Sequence, residues 1–156
     1  MSNEIKSQLI EELNDLVHIQ NDRIQGYENA LMDVQAKNTD LKPVFQAMIA
    51  TSVKQRATLI STIAQLGGKI AEGTTLSGKI YRAWMDIKST VTGKDREGIL
   101  ESCKYGEEAA QKAYDMALES DVQMSADLRQ LLLSQQKELK SELEKIASFE
   151  ELADKM

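Results

Sequence analysis

The feature that most restricts this chain is a seven-residue apolar repeat that recurs in four separate stretches, each long enough for seven or more turns of helix. In the first, the core-side positions are Leu9, Leu13, Leu16, Gln20, Arg23, Tyr27, Ala30 and Val34, with Val17, Ile24 and Leu31 widening the face. That spacing predicts a helix over about 5–37. Asn38, Thr39 and Asp40 then offer turn and N-cap chemistry, and Pro43 follows in a first turn, where a missing N–H does no harm. A second helix over about 41–66 follows, its stripe running through Phe45, Met48, Ser52, Gln55, Leu59, Thr62 and Leu66 until Gly67 and Gly68 stop it.

The third stretch, about 95–121, carries Leu100, Cys103, Glu107, Ala110, Tyr114 and Ala117; the fourth, about 125–152, carries Leu128, Leu132, Gln135, Leu139, Glu142, Ile146 and Phe149, with Ser125 as N-cap. Between the pairs, residues 67–94 are broken by five glycines and predict a long connection holding one short amphipathic helix, about 77–91, with Ile80, Trp84, Ile87 and Val91 on one side. A helix of about 27 residues is roughly 40 Å long at 1.5 Å per residue, so a connection of this length suits a crossover between parallel neighbours. The favoured fold is therefore an all-α, up-down-down-up four-helix bundle. The alternative is up-down-up-down with the connection folded over one end.

The 156 residues fit one domain, 1–156, with enough length to bury an apolar core unaided. A single proline and an excess of Ala, Leu, Glu, Lys and Gln agree with long helices. Nineteen basic against 25 acidic residues leave a charge of −6, which argues against nucleic acid as a partner. No run approaches the roughly 20 apolar residues of a membrane span. A lone cysteine, Cys103, and an amino terminus without a basic-then-apolar run point to a reducing cytoplasm. A homo-oligomer or a protein partner is compatible with all of this.

Where the stripes stop being apolar is more informative. Gln20, Ser52, Gln55, Glu107 and Gln135 each fall near the middle of their helix, so they can share one level of the bundle. Buried polar groups at one level must satisfy one another, hold a ligand or reach water. Tyr27 follows Gln20 by seven residues and Tyr114 follows Glu107 by seven, which makes the two halves a weak repeat of helical hairpins. The expected core network is Gln20, Gln55, Glu107, Gln135, Tyr27 and Tyr114. His18, the only histidine, sits beside the stripe as a boundary residue, and Cys103 reads as a small buried hydrophobe.

The tyrosine seven residues after the central polar position, the string Asn21-Asp22-Arg23-Ile24-Gln25-Gly26-Tyr27-Glu28, the Leu66-Gly67-Gly68 ending and the segment Gly78 to Trp84 resemble a bacterial, rubrerythrin-like family of the ferritin-like superfamily, over about residues 8–150. Its members are described as four-helix bundles of unknown function. The resemblance implies the crossover topology. In metal-bearing relatives the first and third helices each give a glutamate, and the second and fourth each give a Glu-x-x-His pair. Those positions correspond here to Gln20, Ser52, Gln55, Glu107, Gln135 and Glu138. Neutral amides are poor ligands for iron or manganese, so the expectation is a dismantled dimetal site, with no cofactor and no catalytic residues. The balance is against an enzyme without deciding it. The competing expectation is a single cation held near Glu107 and Glu138, in a metal-binding protein or oxidoreductase with a reduced ligand set.

Overall fold

The computed structural model describes residues 2–73 and 95–154, and among these the chain is helical with no strand. Four long helices follow one another: α1 Asn3–Asp33, α2 Leu41–Gln65, α3 Arg96–Glu119 and α4 Ala126–Asp154. The short helix expected over about 77–91 lies outside the described residues. Three of the four starts are capped by side chains that accept otherwise orphaned N–H groups: Ser2 from Ile5 at 3.1 Å, Asp95 from Gly98 at 2.9 Å and Ser125 from Leu128 at 3.1 Å.

The first loop departs from the sequence reading in two ways. Helix α1 ends at Asp33, not near Lys37, because Val34 and Gln35 turn extended before a single 3-10 turn at Ala36–Asn38. No glycine or asparagine marks that exit, so the apolar stripe ending at Val34 carries no stop signal. Asp40 does not cap α2 with its side chain either. Its two carboxylate oxygens each accept an N–H from Arg96 at 2.9 Å, and Arg96 also reaches Asn38 Oδ1. The loop thus ties the α1–α2 hairpin to the start of α3. At the far end of α2, Gly67 takes φ +78°, and the Gly68 and Gly67 amides donate to the Ile63 and Ala64 carbonyls in a Schellman cap.

Cross-helix bonds fix the topology. From Gln20 to Arg23, partners on α3 fall from Tyr114 to Glu107, and partners on α2 fall from Gln55 to Ser52. Glu138 and Glu142 of α4 meet Gln55 and Thr51 in the same reversed order. Helix α1 is therefore antiparallel to α2 and α3, while α2 and α3 run parallel, the up-down-down-up arrangement that needs a crossover. That crossover begins on α1. Asn14 donates to the Lys69 carbonyl and accepts from the Ala71 amide, both at 2.8 Å, and Asn21 and His18 Nδ1 lie 2.8 and 3.0 Å from the Gly73 carbonyl. His18 is occupied as a boundary residue that holds this strap.

Among the described residues the core forms two apolar cells. One packs Leu9, Leu13, Leu16, Ile63 and Leu132 against the small Ala109, Ala110 and Ala113 face of α3. The other gathers Leu41, Phe45, Met48, Leu100 and Ile146 around Tyr27. Each fully buried side chain of this kind contributes roughly 1.5–3 kcal/mol. Between the cells lies the polar slab.

Candidate functional site: a guanidinium-centred slab in the bundle core

The slab has two levels, separated by the one helical turn from Gln20 to Arg23. The upper level is built from amides. Gln20 Nε2 donates to Gln55 Oε1 and to the Tyr114 hydroxyl, each at 2.8 Å, and that hydroxyl donates to Gln135 Oε1 at 2.6 Å. Gln55 and Gln135 then exchange bonds, each side-chain amide reaching the other's backbone carbonyl, at 3.3 and 3.2 Å. The remaining Gln55 N–H goes to Glu138 Oε1 at 2.7 Å. Tyr114 is 0% exposed, and burial holds its phenol above the ordinary range, so it remains protonated and can serve as a donor. Among the described residues, Gln20 Oε1 in this level has no hydrogen-bond partner.

The lower level is organised by a charge. Arg23 is 4% exposed, and its guanidinium spends all five N–H groups. Nε–H and one Nη2–H donate to the two oxygens of Glu107, and the other Nη2–H donates to Glu142 Oε1. Nη1 donates to Ser52 Oγ at 2.7 Å and to the Met48 carbonyl at 3.0 Å. Glu142 is further held by the Thr51 hydroxyl at 2.8 Å. One cation is therefore shared by carboxylates from α3 and α4, while α2 supplies neutral oxygens.

Electrostatics follow from burial. Loss of solvent acts against the charged form of Arg23, but the hydrogen bond and charge of Glu107 outweigh it, and the guanidinium is held above its ordinary range. Burial pushes the Glu107 carboxyl up, against the opposing pull of Arg23. The Arg23 guanidinium carbon lies 5.2 Å from the Tyr27 ring centroid, within cation–π range. That ring also packs on Phe45, centroids 5.4 Å apart. Tyr27 Oη is buried on the side of Glu107, and burial and then the Glu107 charge hold it protonated.

The structure thus brings Gln20, Gln55, Gln135 and Tyr114 together, and adds Glu138. It does not put Glu107 or Tyr27 in that network. Glu107 belongs one turn away with Arg23, Ser52 and Glu142, and Tyr27 packs its ring against Arg23 and Phe45. Glu107 and Glu138 are engaged by different partners in different levels. Among the described residues no group of three His, Cys, Asp or Glu side chains is placed to hold a metal ion. Arg23 and Glu142 were missed as site residues, although both occupy core positions of the seven-residue repeat. A charge on an apolar stripe must have a partner, and that was the available signal.

Comparison with known proteins gives a family and a fold. The profile of a domain of unknown function, DUF2383, matches residues 8–120. No curated protein matches the chain significantly. Among solved structures, a mutant of Dps1 from Mycobacterium smegmatis superposes with a TM-score of 0.78 over 96% of this chain and 99% of its own, at 14% identity. That likeness establishes a ferritin-like fold.

Proposed function

The chain belongs to the DUF2383 family of unknown function, and we propose that within it this protein is a non-catalytic ferritin-like bundle whose central cation is its own Arg23 guanidinium in place of a dimetal centre. The observation that carries this reading is the complete use of the five Arg23 N–H groups on Glu107, Glu142, Ser52 and Met48. A dimetal centre needs anionic oxygen and imidazole donors with lone pairs to spare. Of the six positions corresponding to such a centre, Gln20, Gln55 and Gln135 are neutral and bonded to one another, Ser52 and Glu107 accept from Arg23, and Glu138 accepts from Gln55. These residues do not fit a dimetal group. The role this leaves is structural, stress-associated or interaction-based, in a reducing cytoplasm and as a homo-oligomer or partner-bound form. The finer rubrerythrin-like affinity rests on the Asn21–Glu28 string.

Elemental analysis of protein expressed with ample iron and manganese tests the reading. The expected result is metal well below one ion per chain, both in the wild type and in a Glu107→Gln variant. Stoichiometric metal that survives gel filtration and disappears in Glu107→Gln would reverse it in favour of the reduced-ligand metalloprotein. Light scattering on the same samples gives the oligomeric state.

A further inference from the structure

Surface charge is segregated between the first two helices. Every exposed charge on α1 is acidic, namely Glu4, Glu11 and Glu28, and every exposed charge on α2 is basic, namely Lys42 and Lys54. On α4 both signs are interspersed, as in Lys137, Glu138, Lys140 and Glu144, the pattern of a solvated face. Helices α1 and α2 are neighbours, joined where Arg56 donates to Asn21 Oδ1 at 2.7 Å. Residues three and four apart share one side of a helix, so Gln25, Glu28 and Met32 continue the Asn21 side of α1. By the same spacing Val53, Ile49, Gln46 and Lys42 continue the Arg56 side of α2. This outer face of the hairpin holds Met32, 82% exposed, and Val53, 43% exposed, two of the four exposed large apolar side chains among the described residues. One such side chain is ordinary, but two on one face beside charges of opposite sign form an unpartnered surface of defined polarity.

Antiparallel packing sets the heights of these residues. Gln20 bonds Gln55 and Arg23 bonds Ser52, and counting on in that reversed order puts Glu28 level with Ala47, between Lys42 and Lys54. We propose that this face binds a second copy of the chain about a two-fold axis parallel to the helices. That rotation lays α1 of each copy on α2 of the other at equal height, so each Glu28 meets the Lys42–Lys54 stretch of the other copy and Met32 and Val53 are covered. A two-fold axis across the helices would instead stack α1 on α1, acid on acid. Copies of net charge −6 repel one another at large, and the segregation singles out the approach that sets acid against base. The interface rests on the homo-oligomer form of the reading above and deepens it.

Sedimentation of the full chain at micromolar concentration tests this, with wild type expected as a dimer or a multiple of one. Glu28→Lys sets lysine against Lys42 and Lys54, and the double variant Lys42→Glu/Lys54→Glu sets glutamate against Glu28. Both alter only exposed side chains, so they should keep the helical circular dichroism of the wild type, and each should weaken self-association by roughly tenfold or more. Mixed in equal amounts, the two variants should associate again, because both halves of the two-fold interface then oppose unlike charges. Val53→Glu should also weaken the contact, whereas Leu133→Glu, equally exposed at 43% but on α4, should not. A monomeric wild type would overturn the proposal. So would variants that fail to recover on mixing, or self-association that survives both of them, which would leave the homo-oligomer standing on another face.

Discussion

Arg23 and Glu107 meet side-on across the α1–α3 interface, one guanidinium N–H to each carboxylate oxygen, with both side chains at 2% exposure or less. Sealing such a pair costs desolvation on both sides, so its presence is weak support for stability, while removal of one partner leaves an uncompensated charge. Arg23→Met should therefore destabilise the bundle by about 3–5 kcal/mol, since Glu107 and Glu142 then face each other without a cation. Adding Glu107→Leu to that variant should recover more than half of the loss in urea unfolding. If the double variant proves less stable than Arg23→Met alone, the buried charge is not what the single substitution exposes.

Acid response should distinguish two carboxyls of opposite behaviour. Burial, ahead of the pull of Arg23, holds Glu107 above its ordinary value of 4.5. The folded chain binds that proton more tightly than the unfolded one, so its stabilising contribution is full below the unfolded value and is lost as pH rises through the folded value. Asp40 is the reverse: its hydrogen bonds from Arg96 hold it below 3.8, so its contribution is present above that value and disappears as pH falls through the folded one. Measured by urea unfolding from about pH 3 to pH 8, the stability difference between Glu107→Gln and wild type should move in favour of the glutamine variant as pH rises. For Asp40→Asn, it should move in favour of the wild type. The same direction for both variants would contradict the assignment.

The four helices were legible because each carries its apolar stripe at helical spacing, and Ser125 and Gly67 mark their helix ends by chemistry that acts locally. The end of α1 was not, since nothing near Val34 distinguishes an exit from another helical turn. Within the slab, the repeat placed Gln20, Gln55 and Gln135 correctly on inward positions, because inward direction depends only on spacing within a helix. Which level each residue occupies depends on the axial offset between helices, and no single helix encodes that. Glu107 was therefore grouped with the amides, whereas α3 is set so that it meets Arg23 one turn further along α1. A search for opposite charges on stripe positions would have paired them.

Cys103 should behave as an inert thiol in the folded state. It is 8% exposed, and burial pushes its thiol up to about 12. At pH 8 the thiolate fraction is then about a thousandfold lower than for an ordinary cysteine, and the thiolate is the reacting form. A chromogenic disulfide reagent should titrate no fast thiol in the native protein and one per chain in concentrated guanidinium chloride. Rapid stoichiometric labelling under native conditions would mean that the cell around Leu100 and Tyr27 opens readily.

Three glycines should respond to alanine in three different ways, because each is required for a different reason or for none in the folded chain. Gly26→Ala adds a methyl group to open space within a helix and should stabilise by about 1 kcal/mol, the difference in helix propensity. Gly67→Ala forces a side chain into φ +78° at the Schellman cap and should cost about 1–2 kcal/mol. At Gly68 the new Cβ would lie 2.7 Å from Ile10 Cγ2 and 2.9 Å from both Cγ1 and Cδ1. Because a β-branched side chain is stiff at χ1, Ile10 cannot simply rotate its tip away, and Gly68→Ala should cost about 1–3 kcal/mol. Pairing it with Ile10→Ala isolates that clash: on the Ile10→Ala background the Gly68 substitution should be nearly neutral. A Gly67→Ala loss should persist on that background, since its origin is backbone conformation and not contact.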